Sequence, residues 1–201
     1  MKKHPREEKT LVLVKPDGVQ RSLVGEIISR FEKVGLKIVA LKILIPTEKQ
    51  IAALYGPSKE EIRALGKRSI ENQLKSGIKI KASPYKQGMK IVNKLKRFMR
   101  AGPVVVMVLQ GNQAIAIARK LAGGTEPLNS DIGTIRGDFT IDSYQMADAD
   151  GRAVRNVVHC SGSQKEAERE IKIWFTQEEI LKYKLISEKI LYDVNLDGIL
   201  E

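Results

Sequence analysis

The chain has 201 residues, of which 42% are hydrophobic, enough to bury one core and to predict a single domain over 1–201. Its one cysteine, Cys160, excludes an internal disulfide, and no apolar run is long enough to cross a membrane. The net charge of +11 is concentrated in residues 56–102, where 13 Lys or Arg accompany three acids. We therefore expect a cytoplasmic protein whose basicity belongs to one segment.

The first quarter of the chain predicts two strands joined by a helix. A short apolar run at 10–14 is typical of a buried strand, and the turn residues at 15–18 end it. Apolar residues then recur every four positions from Val19 to Phe31, which predicts one continuous helix. A second strand and a short helix follow, at 36–45 and 47–55.

The basic segment predicts two helices separated by a loop. Apolar residues have helical spacing in 58–74 and again in 89–99. Residues 77–88 contain Pro84 and alternating Lys and Ile, which favours a loop.

The second half predicts two more strands with helices between them. Residues 103–109 form the most apolar run of the chain, typical of a central strand buried on both faces. A helix at 112–121 and a loop at 125–133 follow, then a polar excursion at 142–151. Residues 156–160 form the last strand, and amphipathic helical pieces are expected over 174–192. Alternating strands and helices around a small sheet indicate an α/β or α+β fold.

The most informative position is His159, at the end of the last predicted strand. Ser163 and Glu166 form a capping-box pattern that starts a helix directly after it. A helix N-terminus favours anions, so this histidine suits an anionic substrate. Three cations at or beside the ends of apolar elements are candidate phosphate contacts: Lys15, Arg119 and Arg136. From spacing alone, solvated surface charge is the commoner explanation of each cation.

Four further segments are informative when they are taken together: KPDGVQR at 15–21, GTIRGD at 133–138, NVVHCSGS at 156–163, and AEREI at 167–171 with Trp174 and Phe175 close behind. In this order, they resemble the nucleoside diphosphate kinase family. The resemblance implies a ferredoxin-like βαββαβ core with a four-stranded antiparallel sheet and extra C-terminal helices. It also implies transfer of the terminal phosphate of a nucleoside triphosphate to a nucleoside diphosphate. Mg²⁺ would bind through the nucleotide phosphates, and the chain would form a homo-oligomer, a hexamer or tetramer.

The same resemblance implies a role for each matching residue. His159 matches the phosphorylated nucleophile, Glu170 the carboxylate that orients it, and Ser161 a hydroxyl in the same network. Lys15, Arg119, Arg136 and Thr125 match phosphate contacts. Asn156 matches a sugar contact, and Tyr55 a tyrosine near the phosphates.

Two stretches depart from the family pattern and are expected to be insertions, at about 56–100 and 142–152. The first replaces a segment that carries a base-stacking aromatic, for which Tyr85 and Phe98 are candidates, although Phe98 better matches a packing residue before the central strand. The basic segment also leaves a second function open, a nucleic-acid-binding or regulatory protein on the same fold. Nucleic acid is possible as a partner but not expected, because aromatic residues are scarce there.

Overall fold

The computed structural model describes residues 4–55, 58–75, 77, 79 and 81–192. Four antiparallel strands form one sheet in the order β2-β3-β1-β4. They are β1 (Glu8–Val14), β2 (Lys37–Leu44), β3 (Val104–Gly111) and β4 (Val158–Cys160). β3 is buried along nearly its whole length, so the central strand expected at 103–109 is confirmed. The strand order and the helices between the strands confirm the βαββαβ core.

Helices pack on both faces of the sheet. They are α1 (Pro16–Gln20), α2 (Val24–Glu32), α3 (Glu48–Tyr55), α4 (Lys59–Lys75), α5 (Pro84–Met99), α6 (Ala114–Ala122), α7 (Ile135–Phe139), α8 (Tyr144–Ala149), α9 (Gln164–Trp174) and α10 (Glu188–Leu191). Alternate residues of β1 enter two cores: Val12 packs with Phe31 on one face, and Leu13 packs with Trp174 on the other. This alternation explains why a continuous apolar run forms a strand here.

The single helix predicted from Val19 to Phe31 is two helices. Ser22 has a left-handed backbone, with φ 57°, and separates α1 from α2. The apolar spacing continues across this break because both helices face the same core. Periodicity therefore identified the buried face but could not reveal the break.

The loop predicted at 77–88 is shorter than expected, because α5 begins at Pro84. The Ser83 hydroxyl accepts a hydrogen bond from the Lys86 amide and caps this helix. Proline at the first helical position loses no intrahelical hydrogen bond, so Pro84 starts a helix where we expected a loop. The polar excursion at 142–151 likewise contains a short helix, α8.

The C-terminal segment between Phe175 and α10 is neither helix nor strand. It runs beside the first half of β2, where the Leu181 amide donates to the Val39 carbonyl at 2.8 Å. The Tyr183 hydroxyl donates to the Ile38 carbonyl at 2.5 Å, and Lys37 pairs with Glu188 at 2.5 Å. The helical pieces expected over 174–192 are thus limited to the end of α9 and to α10.

Within the described ranges, no helix is both long enough and apolar enough to span a membrane.

Candidate active site

A strained turn introduces the strand that carries His159. Val157 has φ 53°, a left-handed conformation that β-branched residues rarely adopt. The Val158 amide donates to the Asn156 carbonyl at 2.6 Å and closes a three-residue turn around Val157. His159 follows in β4, opposite Leu13 of β1. The turn therefore fixes the path of the backbone between Asn156 and His159.

His159 belongs to a hydrogen-bonded set with two residues that lie C-terminal to it. Its Nε2 lies 2.8 Å from Oε2 of Glu170, and the Ser161 hydroxyl donates to the same oxygen at 2.7 Å. Glu170 is 2% exposed, whereas the His159 side chain is 20% exposed. A carboxylate accepts, so Nε2 carries the proton and Nδ1 keeps its lone pair.

The charge on Glu170 is stabilised despite its burial. Burial raises the pKa of this carboxyl, but hydrogen bonds from His159 and Ser161 lower it, and the positive charge of Arg169 adds to them. The net pKa lies below the ordinary glutamate value. Glu170 is therefore ionised at neutral pH and holds the imidazole in one tautomer.

The helix that carries Glu170 begins as predicted. The Ser163 hydroxyl accepts from the Glu166 amide at 3.2 Å and caps α9. The Glu166 carboxylate reaches back to the Gly162 amide at 2.8 Å, one residue earlier than in a standard capping box. These contacts fix the loop between β4 and α9 beside His159.

Lys15 and Asn156 form a buried hydrogen-bonded pair. Nζ of Lys15 donates to Oδ1 of Asn156 at 2.5 Å, and Nδ2 of Asn156 donates to the Thr125 carbonyl at 2.7 Å. Burial, and then the positive charge of Arg136, lower the pKa of Lys15 to about 8. Two N–H groups of its ammonium remain available to donate hydrogen bonds to an anion.

Arg136 connects the loop after α6 to β4. Its Nη1 donates to the carbonyls of Gly123 and Gly124 at 2.7 and 3.2 Å. Its Nε donates to the Asn156 carbonyl at 3.2 Å, and Nη2 donates to the Val158 carbonyl at 2.9 Å. Four of its five N–H groups are thus used within the protein. The structure places Arg136 in the site and shows a positioning role that the sequence did not reveal.

Arg119 lies on α6 at the edge of an open cavity of about 570 Å³. Gly162 lines the same cavity, and a Cβ at this glycine would lie 3.2 Å from Nη1 of Arg119. A Cβ there would also lie 2.8 Å from Oε2 of Glu166. The missing side chain at 162 therefore leaves space for both charged groups.

Tyr55 lies at the end of α3 beside the nucleophile. Its ring centroid is 6.1 Å from that of His159, with the rings at 73°. Burial raises the pKa of Tyr55 above its ordinary value, so this phenol stays protonated. Its hydroxyl contacts the Met99 sulfur at 3.7 Å, which connects the site to α5.

Two residues near the site were not among the sequence-based candidates. One carboxylate oxygen of Asp17 accepts from the Val157 amide at 3.1 Å. Arg169 pairs with the second oxygen of Glu170 at 3.4 Å. Asp17 was interpreted only as a turn residue, although its place in the KPDGVQR segment was a usable signal. Of the two aromatic candidates, Phe98 lies near the site, with its ring centroid 5.9 Å from Nζ of Lys15.

Comparisons with known proteins identify the family of the chain. The sequence model of the family described as nucleoside diphosphate kinase matches residues 8–66 and 83–180. A nucleoside diphosphate kinase of Pyrobaculum aerophilum is 49% identical over 180 residues, covering 87% of this chain and 98% of the relative.

Two solved structures are also similar. An NDP kinase structure from Pyrobaculum aerophilum has a TM-score of 0.83 at 47% identity, covering 88% of this chain and 100% of that one. A nucleoside-diphosphate kinase from Borrelia burgdorferi, solved as a transition state mimic with vanadate and ADP, has a TM-score of 0.76. It is 36% identical and covers 93% of this chain and 98% of its own. The chain belongs to the nucleoside diphosphate kinase family.

Proposed function

We propose that this protein transfers the terminal phosphate of a nucleoside triphosphate to a nucleoside diphosphate through phospho-His159. The observation that carries the proposal is the contact between Nε2 of His159 and buried Glu170, at 2.8 Å. It leaves Nδ1 unprotonated and directs its lone pair outward as a nucleophile. A partly exposed imidazole held by a buried carboxylate suits a covalent intermediate.

The reaction divides into two half-reactions at one site. In the first, Nδ1 of His159 forms a bond to the terminal phosphorus, the bond from phosphorus to the bridging oxygen breaks, and the diphosphate leaves with that electron pair. Glu170 stabilises the positive charge that develops on the imidazole while Nε2 keeps its proton. In the second half-reaction, an oxygen of a new diphosphate attacks the phosphorus and the bond to Nδ1 breaks. Donor and acceptor thus use the same phosphate site in turn.

Four side chains supply the charges and hydrogen bonds that phosphates need. Lys15 offers its two remaining N–H groups, and Arg119 is exposed at the cavity edge. Arg136 has one N–H group left, so its contribution is mainly to hold the carbonyls around the site. The Thr125 hydroxyl completes the set. Phosphoryl transfer requires mainly positioning and neutralisation of oxygens, which this set provides.

Asn156 is the proposed sugar contact, and Tyr55 the tyrosine beside the phosphates. Asn156 is 2% exposed and already bonded to Lys15 and Thr125, so a ribose hydroxyl would join an existing network. Tyr55 stays neutral, and its ring lies steeply inclined to the imidazole.

Mg²⁺ is the proposed cofactor, carried in on the nucleotide phosphates. Across the described residues, no group of three or more His, Cys, Asp or Glu is arranged to hold a metal ion. The donor set around His159 is instead cationic, which fits phosphates that bring their own ion. Bound there, Mg²⁺ would neutralise part of the phosphate charge.

We also propose a homo-oligomer, a hexamer or tetramer. Its copies would meet at the second half of β2, residues 41–44, which we call the open half of β2. This strand lies at the sheet edge, and its second half exposes Leu41 and Ile43 to 47% and 66%, with Ile45 just beyond it at 73%. An exposed apolar strand edge readily pairs with another copy. The cytoplasmic location remains a prediction from the lone cysteine.

The alternative role in nucleic-acid binding has less support. Part of the basic segment's charge is neutralised locally, because Lys94 pairs with Asp148 at 2.9 Å and Arg100 with Glu48 at 2.8 Å. Binding that weakens with salt, and with neutralisation of the exposed lysines of 59–97, would favour this role.

The proposed function is tested by phosphate exchange between ATP and GDP. His159→Ala should abolish exchange, whereas His4→Ala, which changes the other histidine of the chain, should leave it unchanged. Full exchange in His159→Ala, or none in the unmutated protein, would overturn the proposed function.

A further inference from the structure

Two hydrogen bonds hold the strained turn at Val157 against the start of α1, and Gly18 allows the close approach. The Lys15 amide donates to the Val157 carbonyl at 2.8 Å, and the Asp17 carboxylate accepts from the Val157 amide at 3.1 Å. A Cβ at Gly18 would lie 3.2 Å from the same carbonyl and 2.7 Å from the Val14 side chain. Both polar groups of the residue with the unfavourable φ are thus bonded to one segment, 15–18.

This turn determines where the reacting groups lie. Asn156, which binds the Lys15 ammonium, immediately precedes Val157, and His159 follows two residues later. A relaxed turn would move Asn156 and His159 relative to each other. Because phosphoryl transfer depends on positioning, a displacement of this kind would slow it.

The second oxygen of Asp17 has a different environment. Oδ1 is buried and has no hydrogen-bond partner in the described part of the chain. Asp17 is 9% exposed, and its negative charge acts on Lys15, which is 5% exposed. Lys15 and Asp17 lie two residues apart and both bond to Val157, so the Asp17 carboxylate can act as the counter-charge of the buried ammonium.

On this basis, we propose that Asp17 is a positioning residue: its carboxylate holds the Val157 turn and is the counter-charge of the buried Lys15 side chain. This inference rests on the proposed function, and it assigns a role to a residue that contacts neither the nucleophile nor, in our proposal, the phosphates. Oδ2 accepts the hydrogen bond from the Val157 amide, and the negative charge of the same carboxylate acts on Lys15.

Groups from four elements determine the charge state of Lys15. Arg136 of α7 lowers its pKa, whereas Asp17 of α1 and Cys160 of β4 raise it. The Phe98 ring of α5 lies 5.9 Å from Nζ, and Asn156 binds Nζ directly. Of the five residues just named, Asp17 is the one that carries a carboxylate. Removing its charge therefore lowers the pKa of Lys15 further.

Asp17→Asn and Asp17→Ala separate the two roles. Asparagine keeps an oxygen for the Val157 amide but loses the charge, whereas alanine loses both. Glu26→Gln is the matched control, because Glu26 is an exposed acid that pairs with Arg30 on its own helix. Thermal unfolding of each variant shows whether it is folded.

The primary measurement is the titration of Lys15 by NMR with ¹³C at the lysine Cε, assigned by Lys15→Arg. We expect Asp17→Asn to lower the pKa of Lys15 by about one unit and to move the alkaline decline of kcat/KM by the same amount. Asp17→Ala should also lose about 100-fold in kcat/KM. Glu26→Gln should match the unmutated protein.

An unchanged Lys15 titration in Asp17→Asn, or unchanged kcat/KM in Asp17→Ala, would overturn the proposal. Because the titration needs no turnover, it tests Asp17 even if the unmutated protein transfers no phosphate. That last result would overturn the proposed function instead.

Discussion

The ammonium group of Lys15 is buried, and burial disfavours its charged form. The charge of the site therefore depends on pH. The pKa of Lys15 is lowered to about 8, so the ammonium is mostly protonated at pH 7 and loses its proton as pH rises through 8. The neutral amine attracts phosphate less strongly. We therefore expect kcat/KM, which reports the free enzyme, to fall on the alkaline side of pH 8.

Lys15→Arg provides the comparison for this profile. A guanidinium stays charged across the accessible pH range, so this variant should have lower activity but no decline near pH 8. A pH profile of kcat/KM for the unmutated protein that is flat to pH 9.5 would contradict the account.

Glu170 and Ser161 should differ in their importance to turnover. Glu170→Gln removes the charge that stabilises the imidazole, and we expect kcat to fall about 100-fold. Ser161→Ala removes one hydrogen bond to Glu170 and should cost about tenfold. Single-turnover phosphorylation by ATP measures both. A larger loss in Ser161→Ala than in Glu170→Gln would be inconsistent with Glu170 as the orienting group.

The sequence predicted which residues meet at the site but not every role. His159, Glu170 and Ser161 are joined by hydrogen bonds, as the resemblance implied. The hydrogen bonds by which Arg136 holds the site could not be predicted, because the carbonyls that it binds come from residues 123, 124, 156 and 158. Such a set exists only after the chain has folded.

At the scale of elements, α4 and α5 form a hairpin that packs through two glycines. A Cβ at Gly66 would lie 1.8 Å from the Pro84 carbonyl oxygen, and one at Gly88 would lie 1.9 Å from that of Ile62. Contacts this close involve backbone, which cannot move as a flexible side chain does. The two helices therefore depend on glycine at both positions.

Gly66→Ala should consequently separate the two helices. We expect the free energy of unfolding to fall by about 1–3 kcal/mol, as in other overpacked interfaces, with faster amide hydrogen exchange in α4 and α5. Gly25→Ala is the control, since a Cβ there would have no atom within 4 Å. Equal stability of the two variants would show that the hairpin packs differently.

The hairpin also shows where prediction from local patterns failed. The helical spacing of 58–74 and 89–99 identified both helices, but the first turn of α5 was missed. Its apolar face is interrupted by Gln87 and Gly88, both buried in the hairpin. A buried glycine resembles a loop residue until its packing partner is known.

The single domain and its insertions at about 56–100 and 142–152 remain predictions. Between residues 8 and 180, the match to the family model is interrupted only at 67–82.

At the scale of the whole molecule, the open half of β2 is the expected contact between copies. Ile43→Lys places a charge on this edge, at a side chain that is 66% exposed and so contributes little to the core. We expect it to lower the molar mass in solution without lowering the stability of the isolated chain. Light scattering coupled to size-exclusion chromatography measures this change. Val34→Lys, at another exposed apolar residue, is the control, and an equal effect of both would argue against this edge.

The position of the phosphate on His159 tests the central claim most directly. Because Nε2 is held by Glu170 at 2.8 Å, phosphate from ATP should be found on Nδ1. NMR of the phosphorylated protein, with ¹⁵N in the histidine rings, distinguishes the two isomers. The account predicts phosphate on Nδ1 of His159 that is discharged by GDP. Phosphate on Nε2, or on a residue other than His159, would contradict it.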